Sequence, residues 1–125
     1  MIETNLFTWL KTNVPLVANR VYAVQAPQDV VAPYLVSQKI DAPRSHTHQG
    51  ADGLVPARFQ FTSVDTTYNG AKLVAEQLRG ALDGKAFIQG TTEVSAAFLD
   101  DETDDHDPDA ALFWIQSDYI IQYKE

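Results

Sequence analysis

The sequence predicts an α+β fold: a roughly four-stranded, mainly antiparallel sheet with two helices packed on one face. Three observations lead there. Ala71, Val74, Ala75, Leu78 and Leu82 repeat with helical period, the pattern of an amphipathic helix. Stretches around Val36, Phe59, Val94 and Ile121 alternate apolar and polar residues, as half-buried strands do. The elements run helix, strand, strand, helix, strand, strand, and strands joined without a crossover helix favour antiparallel pairing. Two helices over one face of such a sheet give every apolar surface a partner.

Taken in order, Ile2 to Lys11 carries Ile2, Leu6, Trp9 and Leu10 at helical spacing. Asn13 and Pro15 end it, since Pro15 disfavours helical backbone at Val14. Arg20 to Ala26 reads as a short strand or edge segment between breakers. Tyr34 to Ile40 sets Tyr34, Val36 and Ile40 on one face and Ser37 and Lys39 on the other. Residues 41–56 hold two prolines, two glycines and two histidines, a breaker-rich loop expected to be mobile in a free monomer and to order on assembly. Arg58 to Val64 turns Phe59 and Phe61 one way. The strong helix follows, with Asp65, Thr66 or Thr67 as its cap and Gly84 at the left-handed position past its end. Lys72 and Glu76 stand as an i, i+4 pair on its wet side. Thr91 to Leu99 places Val94, Ala96 and Phe98 on one face. Ala111 to Lys124 alternates longest, with Phe113, Ile115, Tyr119, Ile121 and Tyr123 together.

The chain of 125 residues is the length of one domain, 1–125, with long loops at 41–56 and 100–109. Folding buries about two-thirds of the surface at this size, so a core forms without staples. No cysteine is present, which removes disulfides, thiolate zinc sites, iron–sulfur clusters and cysteine nucleophiles. The 45% hydrophobic and 21% charged composition is that of a globular domain. No apolar run reaches the ~20 residues of a membrane span, and no membrane partner is expected. The start lacks a signal peptide's pattern, which implies a protein made in a cytoplasm.

The net charge of −8 is concentrated: seven of the seventeen acids lie between Asp100 and Asp109, leaving ten acids against nine bases elsewhere. A nearly neutral body argues against duplex DNA gripped through its phosphates. The acids are Asp100, Asp101, Glu102, Asp104, Asp105, Asp107 and Asp109, with His106 among them. Carboxylates at this density can hold Mg²⁺ or Ca²⁺, but the glycine and distal glutamate of a calcium loop are missing. The simpler reading is a solvated hairpin, mobile unless a metal or a basic patch on a neighbouring subunit meets it. His46 and His48, followed by Asp52, have ligand-type side chains without a third histidine close by. No Gly-x-Ser-x-Gly and no phosphate-cradling glycine loop occur, so no catalytic residue, cofactor or metal is expected. Trp114 falls on the polar face of the last strand, beside Gln116 and Asp118. It marks a contact surface if that face stays open, and ordinary core if helices cover it.

In order, the chain presents an amphipathic N-terminal helix, Arg20-Val21-Tyr22, Ala32-Pro33-Tyr34-Leu35-Val36 and a histidine/glycine loop. Ala57-Arg58-Phe59-Gln60-Phe61, Thr67-Tyr68-Asn69-Gly70-Ala71 and Asp107-Pro108-Asp109-Ala110-Ala111-Leu112-Phe113 follow. Over nearly its whole length this series resembles the small tail-completion or tail-terminator proteins of long-tailed bacteriophages. It departs in the acid-rich stretch before Asp107, where the family typically has a shorter, less charged hairpin, and in its Tyr123-Lys124-Glu125 ending.

The resemblance implies a structural, non-enzymatic virion protein. Such proteins assemble in the host cytoplasm as homo-oligomeric rings, usually hexamers, that cap the finished tail tube and form part of the head–tail joint. The implied partners are further copies of the chain, the major tail tube protein and head–tail connector proteins, with DNA only passing through the channel. A head-to-tail ring needs two different complementary patches per subunit. The candidates for interface or channel are the seven acids of 100–109, His46, His48 and Trp114. The competing reading is a small metal-dependent enzyme or metal-binding domain using 100–109.

Overall fold

The computed structural model describes residues 2–41 and 55–124. Two helices, α1 (Ile2–Asn13) and α2 (Tyr68–Leu82), pack on one face of a six-stranded sheet. The strands are β1 (Val21–Ala23), β2 (Tyr34–Asp41), β3 (Val55–Asp65), β4 (Phe87–Gln89), β5 (Thr92–Asp107) and β6 (Leu112–Lys124). Their order across the sheet is β1-β2-β3-β6-β5-β4. The α+β class with helices on one face therefore holds, but the sheet has six strands, and it is mixed: β1 lies parallel to β2. The two edges are three residues each: β1 lies within the 20–26 stretch expected as a short strand or edge segment, while β4 is too short to show a period in sequence. The parallel pair arises because the connection from β1 to β2 loops back along the open side of the sheet before β2 begins.

The helix-covered face takes the odd-numbered residues of β3 and β6. Phe59 stands opposite Tyr119 and Phe61 opposite Ser117, and all four are fully buried. Phe61 meets Tyr119 edge to face, ring centres 5.8 Å apart, a favoured aromatic geometry. From above, α1 contributes Ile2, Leu6 and Leu10, and α2 contributes Val74, Leu78 and Leu82. Trp9 stacks on Phe87 at 3.9 Å and donates its indole N–H to the Ala81 carbonyl at 3.0 Å, so α1, α2 and β4 meet at one ring. The Glu3–Lys39 ion pair, 2.8 Å, ties α1 to β2. Burial, the largest single influence, pushes the Glu3 carboxyl up, but the Lys39 hydrogen bond, a backbone hydrogen bond and nearby positive charge together leave the group below its ordinary value.

The start of α2 is built as its sequence suggests. Thr67 is the cap, its hydroxyl accepting from the Gly70 amide at 3.0 Å. A Cβ at Gly70 would run into the Asp65 carboxylate and the Thr67 hydroxyl, so a larger residue there needs those side chains to shift. Gly84 takes φ 70° after the helix, a backbone that glycine adopts without penalty.

In β2 the expected partition holds, with Tyr34 and Val36 on one side and Ser37 and Lys39 on the other, but the helices cover the side of Leu35, Ser37 and Lys39, and an irregularity follows Lys39. One facing assignment changes. In β5 an irregularity between Val94 and Ala96 moves the following residues across the sheet. Val94 and Ala97 are buried, and Phe98 sits on the open side with 50% of its surface exposed.

The largest correction concerns residues 100–109. Up to Asp107 they are not a loop but the outer half of β5, paired with β6 through Asp107 opposite Leu112. Only residues 108–111 form the turn. Carboxylates replaced the alternating apolar pattern that marks a strand, so the sequence showed charge and not period.

Candidate assembly surface

The acid-rich strand is divided by the pleat. Glu102 stands opposite Ser117 and Asp104 opposite Ile115, on the helix side. There α2 supplies cations: Lys72 Nζ lies 3.2 Å from Glu102 and 3.3 Å from Asp104, and Arg79 lies 3.1 Å from Glu102. Tyr68 donates its hydroxyl to Asp104 at 2.8 Å. Tyr68, Lys72 and Arg79 share one stripe of α2 at helical spacing, as Glu102 and Asp104 share one face of β5. The Glu102 hydrogen bond leads the causes that raise the Lys72 pKa. The cation that quiets the acidic run is thus mainly in the same chain, and Lys72 pairs across to β5 instead of with Glu76. His106, on this same side, stacks on Phe113 at 4.3 Å.

On the other face, Asp100 is the extra residue at a second irregularity in β5, between Leu99 and Asp101. Its carboxylate lies 2.6 Å from Arg58, which also reaches Asp118 at 3.2 Å. These two, Asp100 foremost, hold the Arg58 guanidinium in its charged form. Asp101, Asp105 and Asp107 also belong to this face, opposite Asp118, Trp114 and Leu112. Asp101 and Asp105 accept from the following backbone amides, of Glu102 and His106. Asp107 accepts from the amides of Asp109 and Ala110, shaping the turn in which Asp109 lies exposed. The seven acids therefore do not form one cluster. Among the described residues, no three side chains of metal-ligand type converge. His46 and His48 lie outside the described residues.

Trp114 stands opposite Val64 on the open face, half-buried, and no described helix packs over it. With Tyr34, Val36, Val64 and Leu112 it floors a groove of about 580 Å³. The β1–β2 connection walls it with Val24, Pro27 and Val30. The described lining carries no charged side chain. Sequence reasoning placed Trp114 on this face but could not foresee the groove, because the connection that walls it follows no period.

One face of the sheet is helix-covered and the other grooved, flanked by a long acidic hairpin. The model of a family described as "Tail completion protein gp17" matches residues 4–124. The chain belongs to this family. Membership supports a structural role in the virion. No curated protein matches it. Among solved structures, a chain in a structure titled "Virion of native gene transfer agent (GTA) particle" shares its fold, with a TM-score of 0.74 at 12% identity. That match covers 99% of this tail completion protein and 95% of the other chain. The described helices include none long and apolar enough to cross a membrane.

Proposed function

We propose that this tail completion protein closes the finished tail tube as a ring of identical subunits, six in number, and presents the surface to which the DNA-filled head is joined. The observation that carries this reading is the open sheet face. A half-buried tryptophan and an apolar groove on a small domain mark a place for another protein. The gene transfer agent chain supports the reading by setting the same fold in a virion particle. DNA crosses the ring without being held, because a subunit with net charge −8 repels a phosphate backbone.

Deleting the gene from its host system and examining the particles by electron microscopy tests the reading. The expected result is unjoined heads and tails, with tails of uneven length, and joined particles restored by the gene supplied in trans. Joined, infectious particles in normal numbers without the protein would refute it.

A further inference from the structure

The groove has an acidic rim. Asp29 lies between two lining residues, and Asp105 and Asp107 stand opposite Trp114 and Leu112 on the same face. No described cation forms an ion pair with any of these three carboxylates. The opposite end of the sheet carries an exposed apolar residue and two lysines, with one exposed acid, Glu93, between them. Ile88, on edge strand β4, exposes 71% of its surface. Lys124 shares its cross-strand row through Glu93, and Lys85 lies three residues before it. Both lysines are exposed, and neither has an ion-pair partner among the described residues.

We infer that the groove of one subunit seats the β4 edge of a second copy, with Ile88 entering beside Trp114 while Lys85 and Lys124 meet the acidic rim. Apolar insertion supplies affinity, and opposite charges set the orientation. The contact is heterologous: groove and edge are different patches of the same chain, so each bound copy offers a free patch to the next, and a ring closes. Sheet twist supports this geometry. The four steps from β2 to β4 turn the sheet normal by roughly 80–100° at about 20–25° per strand. The two patches consequently look in different directions, which disfavours a two-fold pair and suits a chain of subunits around an axis.

This inference rests on the ring reading above, yet it fails separately. The deletion experiment judges the reading with the wild-type protein alone; the variants below judge only which surfaces meet. Sedimentation velocity across a concentration series is the test, with melting curves confirming that each variant is folded. The wild type is expected to assemble beyond a dimer. Ile88→Glu, and separately the double variant Asp105→Lys/Asp107→Lys, should each weaken self-association at least tenfold. An equimolar mixture of the two should form dimers and stop there, because each variant keeps one working patch. Variants that assemble like the wild type, or a mixture that yields no dimer, overturn the inference. So does a wild type that remains monomeric while binding isolated tail tubes through the groove, since the groove would then belong to the tube protein.

Discussion

On one face of the sheet, Phe59, Phe61, Tyr119 and Ile121 are sealed under two helices with no measurable exposure; on the other, Trp114 and Val36 floor an open groove and Phe98 keeps half of its surface. The two sets lie on the same or neighbouring strands. The contrast extends to the charges. Glu102 and Asp104, facing α2, are matched by Lys72, Arg79 and Tyr68, whereas Asp105 and Asp107, facing outward, are not paired with a described cation. One face is closed within the subunit, its acids matched by α2, although the hydroxyls of Ser63, Ser117 and Tyr119 lie buried there without a hydrogen-bond partner. The other keeps the Arg58 ion pairs but leaves the groove open and Asp105 and Asp107 without a described cation.

The strongest test of this contrast is Tyr119→Asp. A charge beneath both helices, in a site where burial already raises the pKa of the native hydroxyl, should cost several kcal/mol, comparable to the whole stability of a domain this size. The variant should be unfolded by circular dichroism at room temperature. A normal melting curve would mean that this face is not sealed.

Trp114→Ala sharpens the comparison from the open side. A half-buried ring with no helix above it should cost about 1–2 kcal/mol in chemical denaturation, well short of the ~3–5 kcal/mol of a core aromatic truncation. A loss in the core range would show that something covers the groove within the subunit.

The smallest effect belongs to the ionic clasp. Glu102→Gln removes contacts to Lys72 and Arg79, whose side chains are 34% and 50% exposed. Screening limits the loss to about 0.5–1 kcal/mol, less at high salt. The Lys72 ammonium, held above the ordinary lysine value of 10.5 chiefly by Glu102, contributes fully below that pH, and its contribution is lost as pH rises through the raised value. The stability gap between wild type and variant should therefore be constant at neutral pH and narrow in strong alkali. A gap that widens there would contradict the pairing.

The helix at 68–82 was legible because period, cap and terminal glycine all agree between Thr67 and Gly84. The same holds for the buried faces of β3 and β6, where alternation is regular. The strand at 100–107 was not legible. Its pairing is satisfied by β6, and its charges by residues some thirty positions away on α2 and more than forty away at Arg58, so nothing local distinguishes it from a solvated loop. The swing of Phe98 to the open side depended on one irregular residue, which reverses the facings from Ala96 to Leu99 until a second irregularity at Asp100 restores them.

By itself the sequence determined the α+β class, the sealed core and the family, because hydrophobic period and short motifs are local properties that survive without coordinates. Only the tertiary structure decided where the acids point, that β1 runs parallel to β2 and β4 adds a further edge, and that Trp114 lies in a groove. Those outcomes depend on which distant side chain supplies a countercharge or a wall, and contacts between residues far apart in the chain leave no local trace in it.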